Sequence, residues 1–124
     1  MTTRLPPQLL LLAFVALGCS DSHGPGRSSA FTLTVVSPNG AEGAALLDVA
    51  AAQVFGVTSE SAEVQTHVEG NRLMVVLVRA QPGELRAFVE VSDVTRPLDV
   101  RLVQVAGPTN ALRPLAGYAL EVQR

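Results

Sequence analysis

Histidine and serine, the usual bases and nucleophiles of hydrolytic sites, are poorly placed for that chemistry in this 124-residue chain. A serine nucleophile needs a base held beside it, and His67 is the one histidine beyond the N-terminal segment. His67 shares the polar face of an alternating segment with Gln65 and Glu69, which predicts an exposed surface histidine. The sequence has no Gly-x-Ser-x-Gly elbow and no glycine-rich phosphate loop, and Ser59 and Ser61 fall in a predicted loop. We therefore expect no catalytic residues.

Two pairs of acidic residues have the types needed for acid–base work on a glycoside. Glu60 precedes Glu63, and Glu90 precedes Asp93, each pair near a strand end or loop. Glycosidases use such pairs as acid and base, but scattered arginines accompany these four, so we interpret them as solvated surface charge. Calcium loops need several oxygen ligands in one run, and a zinc cage needs more than one Cys and two His. The sequence predicts neither a metal nor a cofactor.

The remaining reactive side chain is Cys19, the single cysteine of the chain. It follows Arg4 and an unbroken apolar run over residues 9–17. That run is far shorter than the ~20 residues that cross a bilayer. A positive start, a short apolar core and small residues at its end are typical of a secretory signal peptide. An unpaired cysteine in an exported chain calls for a role other than a disulfide.

The segment Val15-Ala16-Leu17-Gly18-Cys19 resembles the lipobox of bacterial lipoproteins. The resemblance implies cleavage between Gly18 and Cys19, which makes residues 1–18 the signal peptide. It also implies lipidation of Cys19, and two or more acyl chains give a stable membrane anchor. The implied location is the cell envelope. Ser20, rather than Asp, directly after the cysteine favours the outer membrane in a Gram-negative cell.

Residues 19–29 combine the lipidated cysteine with a polar stretch rich in Ser and Gly, which predicts a flexible tether. His23 lies in this stretch near Asp21, and we interpret it as a solvated linker histidine. Ten such residues span about 16–19 Å root-mean-square. The folded domain, predicted at residues 30–124, would therefore stay close to the membrane.

Alternation of apolar and polar residues dominates residues 30–124 and predicts short antiparallel strands separated by turns. The turns are predicted at Ser37–Gly40, Gly70–Asn71, Gln81–Glu84 and Gly107–Asn110. Leu73–Val78 is apolar on both faces, which indicates a strand inside a sheet. We predict an all-β domain, a small antiparallel β-sandwich of about seven to eight strands. The strands are expected near residues 31–35, 44–50, 54–57, 64–68, 73–78, 85–91, 98–105 and 118–122.

The segment 44–55 is ambiguous because it is rich in alanine, the best helix former. Leu47, Ala51 and Val54 have helical spacing, whereas Ala45, Leu47 and Val49 alternate with their neighbours as in a strand. We favour a strand at 44–50 followed by a short or irregular one near Val54, and a helix is the alternative.

The segment Gln81-Pro82-Gly83-Glu84 and the alternating Leu85–Val91, after the apolar strand Leu73–Val78, resemble a small cohesin-like or immunoglobulin-like β-sandwich. Cohesins are non-catalytic binding modules, so the resemblance implies binding rather than catalysis. It transfers no functional residue to this chain.

Composition and charge narrow the classes of partner. The chain has a formal net charge of −2 and all nine of its basic residues are Arg, with no lysine cluster, which argues against nucleic acid. The arginines of the strand-rich half predict cross-strand ion pairs on the outer face. We expect a lipid-anchored, non-catalytic binding or structural module that offers a face, loops or an edge strand to another envelope protein. An accessory subunit or small enzyme of the envelope is the alternative.

Overall fold

The computed structural model describes residues 29–124, and the regular elements in that range are strands apart from one 3-10 turn, Ala51–Gln53. The strands are β1 (Ala30–Val36), β2 (Glu42–Ala50), β3 (Val54–Thr58), β4 (Glu63–Glu69), β5 (Arg72–Gly83), β6 (Arg86–Val91), β7 (Val100–Ala106), β8 (Leu112–Arg113) and β9 (Ala119–Gln123).

These strands form two antiparallel sheets that pack together, which confirms the predicted all-β sandwich. One sheet has four strands in the order β3-β6-β1-β9, and the other has five in the order β4-β5-β2-β7-β8. β8, which has only two residues, is the strand that the sequence did not predict, because so short a segment shows no alternation. β1 lies between β6 and β9, so the first and last strands are neighbours, with Leu33 opposite Val122.

The core lies between the two sheets and is built from the inward side chains of alternate positions. Its fully buried members include Leu33, Leu47, Leu77, Leu85, Val49, Val75, Val89, Val91 and Val105. The core is almost entirely aliphatic, and Phe31 is its one buried aromatic residue within the described range. Phe55, by contrast, lies on the surface, with 77% of the residue exposed to solvent.

The ambiguous segment is a strand over its first part, as predicted. Ala45, Leu47 and Val49 of β2 all face the core, and β2 pairs with β5 on one side and β7 on the other. Burial on a sheet between two partners outweighs the intrinsic helix preference of alanine, which is worth only tenths of a kcal/mol per residue. The alanine run ends in the 3-10 turn, and β3 then begins at Val54.

The predicted turn at Gln81–Glu84 is wrong, because β5 runs on through Gly83. The register between β2 and β5 jumps from Ala44 opposite Val78 to Glu42 opposite Gly83, so residues 79–82 bulge out opposite Gly43. Arg79 closes this bulge from within, donating from Nε to the Gln81 carbonyl at 2.7 Å and from Nη1 to the Glu84 carbonyl at 2.9 Å. The proline and glycine therefore mark a bulge rather than a chain reversal.

A second bulge explains an irregularity of the sequence near residue 103. Leu47 lies opposite Leu102 but Leu46 lies opposite Gln104, so Val103 is an extra residue in β7. An inserted residue changes the face to which the following side chains point. The apolar positions accordingly change from even to odd numbers, and Val105 reaches the core.

Candidate functional site

A groove lined mainly by apolar side chains opens at one side of the sandwich, where the edge strands of the two sheets meet. We call it the edge groove; it is a cleft of about 310 Å³ lined by Ala51, Val54, Phe55, Gly56, Val57, Val64, Thr66, Val68 and Leu73. β3 ends the four-stranded sheet and β4 ends the five-stranded sheet, and both contribute to the lining. The groove is therefore bounded by two strands that each lack a neighbour on one side.

The edge groove exists because the inner face of β4 is incompletely covered. Val64, Thr66 and Val68 lie opposite Leu77, Val75 and Leu73 of β5 and share their core-facing side. Val68 nevertheless has 59% of its surface exposed. Phe55, the most exposed large apolar residue of the described range, lines the same groove. Contiguous exposed apolar residues of this kind mark interaction sites more often than singly scattered ones do.

The four edges of the two sheets differ in how well they could accept another strand. β8 has only two residues, and the register of β3 shifts between Val54 and Gly56. β9 is a short terminal strand of five residues. β4 pairs with β5 over seven consecutive residues without any shift. The edge of β4 is thus the longest regular one in the described fold.

β4 begins and ends with a glutamate, Glu63 and Glu69. Glu69 is opposite Arg72 of β5, but the one charged group of the described range within ion-pair distance of its carboxylate is His67, with 3.6 Å between His67 Nε2 and Glu69 Oε2. Glu60, Glu63 and Glu90 form no ion pair with any described residue. The strand that borders the groove is therefore acidic at both of its ends.

Two buried carboxylates form a different kind of polar cluster, and the first is Glu42 at the start of β2. Only 1% of Glu42 is exposed. Its Oε1 accepts a hydrogen bond from Arg113 Nε at 2.8 Å, and its Oε2 accepts from the hydroxyls of Ser37 and Tyr118. Asn39 in turn donates to the Tyr118 hydroxyl at 3.0 Å. This network ties the β1–β2 turn to β8 and to the chain before β9.

The hydrogen bonds decide the charge state of Glu42. Burial raises the pKa of this carboxyl, but the donors Ser37, Tyr118 and Arg113, together with the positive charge of Arg113, outweigh burial and hold the pKa below its ordinary value. Glu42 is therefore a structural anion whose two oxygens already have donors, and it is a weak proton acceptor at neutral pH. A cleft of about 450 Å³, lined by Ser37, Glu42, Glu84 and Glu121 among others, lies beside it.

The second buried carboxylate, Asp48, lies on the outer face of the five-stranded sheet. Arg72 Nε contacts Asp48 Oδ1 at 2.5 Å, and Arg101 Nη2 contacts Asp48 Oδ2 at 3.0 Å. Arg72 also binds Asp99 through both of its terminal nitrogens, at 2.8 and 3.2 Å. The hydrogen bond from Arg72 is the main reason that the pKa of Asp48 and the pKa of Asp99 are both lowered. These pairs fasten β2 to both of its neighbours.

The predicted cross-strand ion pairs are thus present on the outer face of the five-stranded sheet, between Asp48 of β2 and the arginines of β5 and β7. The ion pair between Arg86 and Glu84, at 2.9 Å, is local rather than cross-strand, because the two residues are two positions apart in the chain. Sequence reasoning did not identify Glu42 or Asp48 as special positions. The signal that could have identified them is an acidic residue inside an otherwise apolar strand. A carboxylate buried in such a strand must be paired with a cation or hydrogen-bonded.

The residues considered for chemistry do not come together in one site. His67 is exposed on β4, as predicted. Asp93 serves its own turn, since its Oδ1 accepts hydrogen bonds from the backbone N–H and the hydroxyl of Thr95, at 2.9 and 2.5 Å. These bonds lower the pKa of Asp93. The predicted cleavage and lipidation positions, Gly18 and Cys19, and the linker His23 lie outside the described residues.

Residues 29–124 contain neither a candidate metal-binding cluster nor a membrane-spanning helix. No group of three or more His, Cys, Asp or Glu side chains in this range is arranged to hold a metal ion. The same range contains no helix that is long and apolar enough to cross a membrane. Comparisons with protein families, with curated proteins and with solved structures find no match for this chain.

Proposed function

We propose that this chain is a membrane-anchored bacterial lipoprotein whose β-sandwich is a non-catalytic binding module of the cell envelope. Lipid on Cys19 would hold the domain at the membrane, and residues 20–29 would let it reach a neighbouring envelope protein. The observation that carries the binding role is the edge groove, in which the exposed Phe55 and Val68 lie between two strand edges. Covering apolar surface of this kind with a partner lowers the free energy of the complex and so favours binding.

The chemistry around the edge groove supports binding rather than turnover. The side chains that line it are aliphatic and aromatic apart from the Thr66 hydroxyl, whereas an active site needs convergent acid, base or nucleophilic groups. The alternative, a small enzyme or accessory subunit of the envelope, would use the cleft beside Glu42. That cleft places Ser37 and Glu42 in direct hydrogen-bond contact.

The anchor is tested by replacing the cysteine. Cys19→Ser should leave the chain unprocessed and without acyl chains, because serine lacks the thiol that receives the lipid. The measurement is the mass of the protein recovered from the membrane fraction, with Ser22→Ala as the matched control, which should be cut and lipidated normally. A Cys19→Ser protein that is still processed and held like the parent would contradict the lipoprotein assignment.

The binding role is tested by photocrosslinking in the native envelope. A benzophenone amino acid in place of Phe55 should yield a discrete protein adduct, because this position lies on the exposed groove. The same group at Gln123, an exposed position on β9, is the control and should yield no such adduct. Equal labelling from both positions, or none from Phe55, would argue against the groove as a binding surface.

A further inference from the structure

We infer that the edge of β4 accepts an extended segment of another protein by antiparallel strand addition. In this arrangement apolar side chains of the segment enter the edge groove and basic side chains lie opposite Glu63 and Glu69. The inference rests on the proposed binding role and specifies its mode and the chemistry of the partner.

The backbone of β4 is suited to this mode. Its only strand partner in the described fold is β5, and the pairing is regular from Glu63 to Glu69. The N–H and C=O groups on the other side of β4 therefore have no strand to bond within residues 29–124. An added strand would satisfy them, which is how strand addition obtains its affinity.

The side chains of β4 divide the added segment into two faces. Successive side chains of a strand point to opposite faces, so residues opposite Val64, Thr66 and Val68 would point inward over the groove and towards Phe55. Aliphatic side chains would cover surface that is now exposed to water. Residues opposite Glu63, Gln65, His67 and Glu69 would point outward.

The charges at the two ends of β4 select the partner. The strand reads Glu-Val-Gln-Thr-His-Val-Glu, so its acidic and apolar positions are symmetric about Thr66. Two copies paired antiparallel about Thr66 would place Glu63 against Glu69 of the second copy at both ends, and like charges directly opposite are unfavourable. A segment with Lys or Arg at these places gains attraction instead. The charges thus oppose self-pairing and favour a basic partner.

The test uses a synthetic peptide, Lys-Val-Thr-Val-Thr-Val-Lys, titrated into the full-length chain in detergent micelles. Strand addition predicts amide shifts concentrated in residues 63–69. A peptide with Glu in place of both Lys should bind about tenfold more weakly at low salt, because two favourable cross-strand pairs become unfavourable. The double variant Glu63→Lys with Glu69→Lys should reverse that preference. Both positions are exposed, so the fold should persist.

Backbone methylation distinguishes strand addition from simple apolar contact. In an antiparallel pair alternate residues direct their N–H groups to one neighbour. Two peptides that are N-methylated on opposite sets of alternate residues should therefore differ, one binding and the other not. Equal binding of both would overturn strand addition, as would dimerisation of the unmodified protein through β4 at neutral pH. Failure of the basic peptide while Phe55 still crosslinks a partner would overturn this inference alone and leave the proposed function standing.

Discussion

Replacing Arg113 by methionine should lower the free energy of unfolding by about 3 kcal/mol, because it leaves the buried Glu42 carboxylate without a counterion. Breaking a buried pair from one side typically costs about 3–5 kcal/mol. We expect the lower end since the hydroxyls of Ser37 and Tyr118 still donate to Glu42. A domain of this size has a total stability of about 5–15 kcal/mol. The measurement is urea unfolding at pH 7, followed by far-UV circular dichroism.

Arg96→Met is the matched control, since Arg96 is exposed and forms no ion pair with a described residue. It should change stability by less than about 0.5 kcal/mol. Equal losses in the two variants would mean that Arg113 is not what stabilises the Glu42 charge. Methionine keeps most of the length of the arginine stem, so lost packing contributes little to the difference.

Acid supplies an independent readout of the same network. The pKa of Glu42 is lowered in the folded protein, so its stabilisation is fully present above the ordinary value of 4.5 and is lost as the pH falls through the folded-state value. Without the hydrogen bond and charge of Arg113, the pKa of Glu42 is higher than in the unmodified protein, so this carboxyl takes up a proton at a higher pH. The stability difference between the unmodified protein and Arg113→Met should therefore shrink as the pH falls below about 4.5.

Gly43→Ala should destabilise the protein by about 2 kcal/mol or more, because no room exists for a methyl group at this point of β2. A Cβ atom at Gly43 would lie 2.7 Å from the carbonyl oxygen of Gly107. That oxygen belongs to the backbone directly after β7, so relief would require β2 and β7 to separate near the Ala44–Ala106 pair. Thermal unfolding of the variant should show a lowered midpoint with a preserved β-type spectrum.

Gly56→Ala is the control for the general effect of removing a glycine. A Cβ atom there would meet Glu90 Oε1 at 3.5 Å, an ordinary contact. Alanine also restricts the unfolded chain more than glycine does, which by itself stabilises by about 0.4–1 kcal/mol. Gly56→Ala should therefore be neutral or mildly stabilising. A Gly43→Ala protein as stable as Gly56→Ala would show that β2 and β7 can part without cost.

The sequence predicts the sandwich well because alternation records which face of each strand is buried. β1, β4, β6 and β9 lie where the alternation places them, and even the bulge at Val103 leaves a trace as a change of phase. The bulge at Arg79 was missed for a physical reason. Proline and glycine occur both in turns and in bulges, so their presence does not distinguish the two. The bulge is closed by hydrogen bonds from the Arg79 side chain to backbone carbonyls, and these leave no pattern in the local sequence.

The candidate site was harder to predict from the sequence than the fold was. Phe55 and Val68 have residue types typical of a core, and their exposure depends on how far the two sheets overlap, which no local pattern encodes. Glu42 and Asp48 depend on arginines that come much later in the chain, as Arg113 does for Glu42. The exposed His67 and the acidic ends of β4, by contrast, followed directly from alternation.

The pairing of β1 with β9 has a consequence for the order in which the molecule can fold. Ala30–Val36 stays without its second neighbour until Ala119–Gln123 has arrived, so the four-stranded sheet cannot be completed from the N-terminal side alone. Contacts between residues so distant in sequence make folding slow. The long chain segment between β1 and β9 must lose conformational entropy before the two strands can form their stabilising hydrogen bonds. A chain that emerges in order from its N-terminus would thus remain open until its last strand is free. Delayed closure of this kind would suit the exported lipoprotein proposed above, because such a chain would cross a membrane before it folds.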